Sequence, residues 1–188
     1  MDDMVLQAMA KWPDVPAAWG WLRLDRRGGW HLVDRNAPGF DETAPDAGSR
    51  IEHAAFADFI ARNYVADDAG RWYFQNGPQR VFVDVELAPL VLRVFDTAAG
   101  PPALVAHTGQ PVGRVTRGFL DEAGTVYVET DLGPGVVHDG DLAALEFEPA
   151  PDEGSQAMRA MLATGPMLLR PLEQPAEQAL GFVRRPRA

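Results

Sequence analysis

The sequence predicts an α+β fold: two small antiparallel, β-rich lobes of hairpins, one main helix packed on them, and a short C-terminal helix. Three observations carry that prediction. First, 18 glycines and 16 prolines fall between short apolar stretches, the pattern of many strands joined by turns. Second, the turn signature Asp-x-x-Gly-x-apolar occurs three times, at Asp25–Trp30, Asp67–Trp72 and Asp121–Val126. Third, one stretch, SRIEHAAFADFIARNY, has helical periodicity.

In each of the three signatures the aspartate can bond the turn backbone and the glycine can take positive φ. A strand-like stretch follows each one, WHLV, WYFQ and VYVET. WGWLRL and RVTRGFL precede the first and third, which read as β-hairpins; the second follows the helix. The helix is expected from Ser49 or Arg50 to about Tyr64. Ser49 and Glu52 have capping-box spacing, and Ile51, Ala55, Phe56, Phe59 and Ile60 share one apolar face. The preceding NAPGFDETAPDAG reads as a polar loop.

From Arg80 the residues alternate. Val81, Val83, Val85 and Leu87 take one side, and Arg80, Phe82, Asp84 and Glu86 the other. Asn76-Gly77 signals a hairpin, but Pro78 cannot donate the closing hydrogen bond of a turn centred there. A longer connection, about Gln75–Gln79, is therefore expected. Further strands are expected at Leu90–Phe95, Leu104–His107, Val112–Phe119, Val126–Thr130 and Val136–Val137, with a brief helical turn in DGDLAALEFEP. Ser155 reads as the cap of a short helix, Gln156–Ala163, ended by Gly165-Pro166. The Pro-rich last twenty residues, with RRPR at Arg184–Arg187, read as a loosely attached, solvated tail. The organisation is thus 1–48, an N-terminal segment with a Trp-rich hairpin; 49–100, the helix and main hairpin; 101–150, a C-terminal β-rich lobe; and 151–188, a short helix and tail.

Composition narrows the function. There is no cysteine, which excludes disulfides, thiolate catalysis and cysteine-ligated metals. A net charge of −10 repels phosphate backbones, so no nucleic-acid partner is expected. No apolar run can span a bilayer, and the acidic N-terminus makes a poor signal peptide; no membrane association and a cytoplasmic location are expected. The four histidines form no metal-binding motif, and HDGD at His138–Asp141 reads as a turn, so neither a metal nor a cofactor is expected. Ser49 and Ser155, the only serines, are accounted for as caps, and no nucleophile elbow or phosphate loop is present.

The motifs Lys11-Trp12-Pro13, Gly20-Trp21-Leu22 and Trp72–Arg80 (WYFQNGPQR) carry a resemblance. Over about residues 11–147 the chain resembles an uncharacterised proteobacterial family of unknown function. More remotely, its order of elements is similar to a second bacterial family of unknown function. The shared order runs from hairpin through helix and Asp-x-x-Gly-x-aromatic to a valine-rich strand and a turn, here ELAPLV. That second resemblance implies a two-lobed α+β protein with a suggested ligand-sensing role in signalling. Glu86 stands where that family has an Asp-like position, and neither resemblance implies catalytic residues.

The candidate site is Trp72, Gln75, Asn76, Gln79 and Arg80, where amide donors and acceptors and a guanidinium gather beside aromatic rings. Such a group can orient a small polar or anionic ligand. Trp21, Trp30 and Trp72 are expected in the hairpin cores. Three functions are ranked. The first is a non-enzymatic protein that binds or senses a small ligand at this hairpin. The second is a homodimer built on the Trp-rich N-terminal segment and on Met158, Met161 and Leu162 of the C-terminal helix. The last is a small enzyme using Asp84, Glu86 or His107, for which no motif speaks.

Overall fold

A computed structural model describes residues 1–41, 44, 48–98 and 100–188. The polar loop expected at 36–48 lies partly outside the described residues. The fold is α+β, with two β-sheets and few helices. The chain divides into two units: Met1–Leu87 with Phe182–Ala188, and Ala88–Gly181.

Unit 1 begins with α1 (Asp3–Lys11), followed by β1 (Ala18–Leu24), β2 (Trp30–Leu32), β3 (Ser49–Arg50), α2 (Ala54–Arg62), β4 (Tyr64–Ala66), β5 (Trp72–Asn76) and β6 (Gln79–Val85). The strands form one sheet in the order β3-β2-β1-β6-β5-β4. Every neighbour is antiparallel except β1 and β6, whose parallel pairing joins the two hairpin systems. One face carries Leu22, Leu24, Trp30, Tyr64, Trp72, Phe74, Val83 and Val85, all buried, with Ile60 of α2 completely covered. Phe56 and Phe59 meet Phe74 edge-on, with centroids 6.4 and 5.4 Å away. On the other face Trp19 stacks flat on Phe82 at 3.9 Å.

The three Asp-x-x-Gly signatures fold into one turn repeated. In each, the aspartate Oδ1 accepts from the backbone N–H two and four residues on: Arg27 and Gly29 for Asp25, Ala69 and Arg71 for Asp67, Ala123 and Thr125 for Asp121. Gly28, Gly70 and Gly124 take φ of +83°, +71° and +82°, which only glycine adopts without strain. The second signature also closes a hairpin, because β4 starts directly after the helix.

Asp25 shows what such a turn does to a carboxyl group. Burial raises its pKa, but hydrogen bonds with His31 (2.8 Å) and with the N–H groups of Gly29 and Arg27 outweigh this, leaving it below 3.8. A depressed carboxyl stabilises the fold above its unfolded pKa and loses that contribution as pH falls through the folded value. Asp25→Asn is therefore expected to be less stable than wild type at neutral pH, with the gap narrowing as pH drops below 3.8. Paired urea titrations from pH 7 to pH 3 measure this; a pH-independent gap contradicts it.

The helix is shorter than its periodicity suggests. His53, not Ser49, caps α2, its Nδ1 accepting from Phe56 N–H at 3.2 Å. Ser49 instead pairs with Leu32 in β3, and Ile51 N–H donates to Trp30 O at 2.8 Å. Extending the hairpin satisfies more backbone groups there than a first helical turn, which leaves its N–H groups open. At the other end Asn63, fully buried, donates to Phe59 O and accepts from Asp2 N–H, which ties α1 to the end of α2.

Unit 2 contains β7 (Leu90–Thr97), β8 (Gly100–Ala106), β9 (Val115–Leu120), β10 (Val126–Thr130), β11 (Gly133–Val137), β12 (Phe147–Pro149), β13 (Met158–Leu162), β14 (Gly165–Pro171) and α3 (Ala176–Leu180). The sheet order is β12-β13-β14-β9-β10-β11-β7-β8, with β14–β9 and β11–β7 parallel. Val91, Leu92, Val126, Val128, Val136, Val137, Met167 and Leu169 form its core.

Two expectations fail at the C-terminal end. Gln156–Ala163 is not a helix, and Ser155 caps nothing. Met158–Leu162 is strand β13, with Ala160 and Leu162 buried on either side of exposed Met161, a period of two. Leu162↔Gly165 closes a tight hairpin, so Gly165-Pro166 opens β14 and does not end a helix. The adaptable apolar face proposed for Met158, Met161 and Leu162 loses its helix, and Leu162 is core. The tail is not loose either. Phe182 is buried, Val183 N–H donates to Gly70 O, Arg184 O accepts from Val85 N–H, and Arg187 holds Asp84 at 2.7 and 3.1 Å.

Candidate functional site

The β5–β6 hairpin turns on Gly77-Pro78, one residue later than Asn-Gly signals. Asn76 pairs with Gln79, so the closing donor is Gln79 and proline's missing N–H is not needed. Gly77 takes φ +56°, and proline's ring holds φ near about −65°, the combination of a type II′ turn. The expected longer connection is thus corrected to two residues.

This register distributes the five candidate residues over both faces. Trp72 is core, its indole 4.9 Å from the ring of Tyr64. Gln75, buried on the opposite face, donates from Nε2 to Gly77 O at 2.8 Å and braces the turn. Arg80 lies on that face too, its guanidinium 5.0 Å from the centroid of Tyr73. Asn76 and Gln79 share the face of Phe74 and Val81. The fold brings these two together, places Gln75 and Arg80 on the opposite face, and leaves Trp72 in the core.

Asn76 and Gln79 line a groove of about 360 Å³. Its floor is Leu22, Ile60, Phe74 and Val81, and its walls are Trp21, Leu32 and Phe56. Trp21 is not the core residue the sequence suggests: it is 37% exposed. The cause is a bulge. Trp19 registers with Phe82 and Leu22 with Val83, so Gly20 and Trp21 are inserted into β1, with Gly20 at φ +72°. Leu32 and Phe56 are 55% and 40% exposed, unusual for large apolar residues around one hollow. Sequence reading missed Trp21, Leu32 and Phe56 as site residues. The available signal was Gly20 before Trp21, since an isolated glycine inside a strand marks a bulge.

The carboxylates considered for catalysis have structural partners. Asp84 is held by Arg187, and Glu86 by Arg23 at 3.2 Å and Arg26 at 2.6 Å. His107 belongs to unit 2, where its Nδ1 accepts from Val91 N–H at 3.2 Å. Among the described residues no three His, Asp or Glu side chains gather where they could hold a metal ion, and no helix is long and apolar enough to cross a membrane.

A model of the family DUF2944, described as a protein of unknown function (DUF2946), matches residues 1–187. The chain belongs to that family. Its membership bears out the expectation of an uncharacterised family. Among solved structures, the chain is similar to a DUF1285 family protein from Silicibacter pomeroyi at 16% identity and a TM-score of 0.52. That likeness covers 80% of this chain and 79% of the other. A DUF1285 family protein from Shewanella baltica is 19% identical with a TM-score of 0.44, covering 64% of this chain and 85% of the other. The first likeness shows a shared fold, in keeping with the expected remote second family. No protein of curated function matches the chain.

Proposed function

We propose that unit 1 binds a small molecule in the groove between α2 and the bulge of β1, without chemistry of its own. One observation carries this reading: exposed Trp21, Leu32 and Phe56 wall a hollow of about 360 Å³ that ends on the paired amides Asn76 and Gln79. An apolar hollow of that size with a few placed polar groups is the usual form of a small-ligand site. A sensing role fits a protein that binds and does not transform, and the proposal extends to it.

The test is thermal melting against a metabolite library. A ligand at a hundred times its Kd adds about 2.7 kcal/mol and raises the melting temperature visibly. Trp21→Ala removes a wall that is 37% exposed, so it is expected to fold and to weaken binding by about tenfold or more, equivalent to about 1.4 kcal/mol. Arg80→Ala, on the opposite face, is expected to leave the shift intact. A ligand shift that survives Trp21→Ala and disappears in Arg80→Ala would move the site off this groove.

A further inference from the structure

The chemistry of the occupant can be read from what the groove lacks. None of the ten described residues that line it is charged. The hairpin's own cation, Arg80, sits over the Tyr73 ring on the other face. Arg23, the adjoining cation of β1, is committed to Glu86. A carboxylate, phosphate or ammonium entering the groove would exchange water for aliphatic and aromatic walls with no counter-charge, and an unpaired buried charge is strongly disfavoured.

The polar end has a definite inventory. Gln79 donates from Nε2 to Pro16 O at 3.0 Å, which pins the amide and leaves its carbonyl Oε1 as an acceptor. Asn76 is exposed, and its side chain makes no hydrogen bond among the described residues, so it offers a donor and an acceptor. The two face each other across the hairpin as a cross-strand pair. The tip that presents them is stiff: Gly77-Pro78 fixes the turn, and Gln75 braces it from the far side.

Resting on the groove reading above, we infer that the ligand is an uncharged molecule with an apolar chain or ring and a carboxamide-like end. Such an end donates one N–H to Gln79 Oε1 and accepts from Asn76 Nδ2, and its second N–H faces Asn76 Oδ1 or the water at this exposed tip. The walls of Trp21, Leu32 and Phe56 take the apolar body.

A matched series separates this from other occupants: octanamide, octanoate and octylammonium share one chain and differ in charge. Titration calorimetry of the full chain at pH 7 is expected to give octanamide a Kd at least about tenfold below those of the two ions. Asn76→Asp, with its fold checked by circular dichroism, is expected to weaken octanoate further and to bring octylammonium to or above octanamide. Octanoate binding as tightly as octanamide, still lost in Trp21→Ala, overturns the uncharged-ligand inference and keeps the groove. Failure of all three, alongside another library ligand that depends on Trp21, does the same. If no ligand of any kind depends on Trp21, both readings fall.

Discussion

Gly118→Ala is expected to destabilise unit 2 by about 3 kcal/mol, the upper part of the range for overpacking a filled core. A Cβ on Gly118 would stand 2.5 Å from the backbone oxygen of Leu168 and 2.6 Å from Leu169 Cδ2. The side-chain atom can rotate away. The carbonyl oxygen cannot, because it belongs to β14. Gly118 sits at the parallel β9–β14 junction, where Arg170 registers with Phe119 and Pro171 with Leu120. Relieving the clash means parting those strands, which join the β12–β14 hairpins to the rest of the sheet. All five tryptophans lie in unit 1, so their emission follows that unit, while far-UV circular dichroism follows both. The expected result is a lower urea midpoint by circular dichroism. An unchanged midpoint would mean the junction accommodates a methyl group and does not depend on glycine.

What the sequence revealed was local. The three aspartate turns were legible because donor and acceptor lie within four residues, so the pattern and the contact are the same thing. Strand β10 was legible with its bounds, Val126–Thr130, because alternation is also local. Failures came where a distant partner decided the outcome. Ser49 and Glu52 spell a cap, but β2 claims Ser49 as a strand neighbour. Ser155 followed by Met158, Met161 and Leu162 spells a short helix, but β12 and β14 flank that segment and make it a strand. Length is the underlying reason: an isolated helix of two turns has little stability of its own, so tertiary pairing wins.

The site was half legible for the same reason. Asn76 and Gln79 were chosen for their chemistry, and the fold keeps them together because a two-residue turn makes them partners. Gln75 and Arg80 were chosen for their chemistry too, but a strand sends alternate residues to opposite faces, and Trp72, on the face of Asn76, is buried in the core. Trp21 could not be assigned to the groove from local pattern. Its position depends on an irregularity against β6, which lies sixty residues further along the chain.

The tail makes the contrast between local and distant information sharpest. Phe182→Ala is expected to lower the stability of unit 1 by about 3–5 kcal/mol, the usual range for a buried phenylalanine, whereas Arg187→Ala is expected to cost less than about 1 kcal/mol. Read as sequence, RRPR with its three arginines is a loosely attached, solvated tail, and nothing marks Phe182. In the structure Phe182 is buried and Arg187 stays half-exposed. The Phe182 side chain is 4% exposed, so its whole area is withdrawn from water. Arg187 bonds Asp84 with both terminal nitrogens, but its side chain is 38% exposed, and water and salt screen the pair. Between them the backbone of Val183 and Arg184 closes hydrogen bonds with Gly70 and Val85, which keep the segment in register even where a side chain is lost. Urea unfolding followed by tryptophan emission tests the ranking, with 1 M salt expected to erase most of the Arg187 effect and little of the Phe182 effect. Equal losses in the two variants would show that charge, not burial, fastens the tail. The expected inequality would make Phe182 the anchor, with the arginines trimming its exposed end.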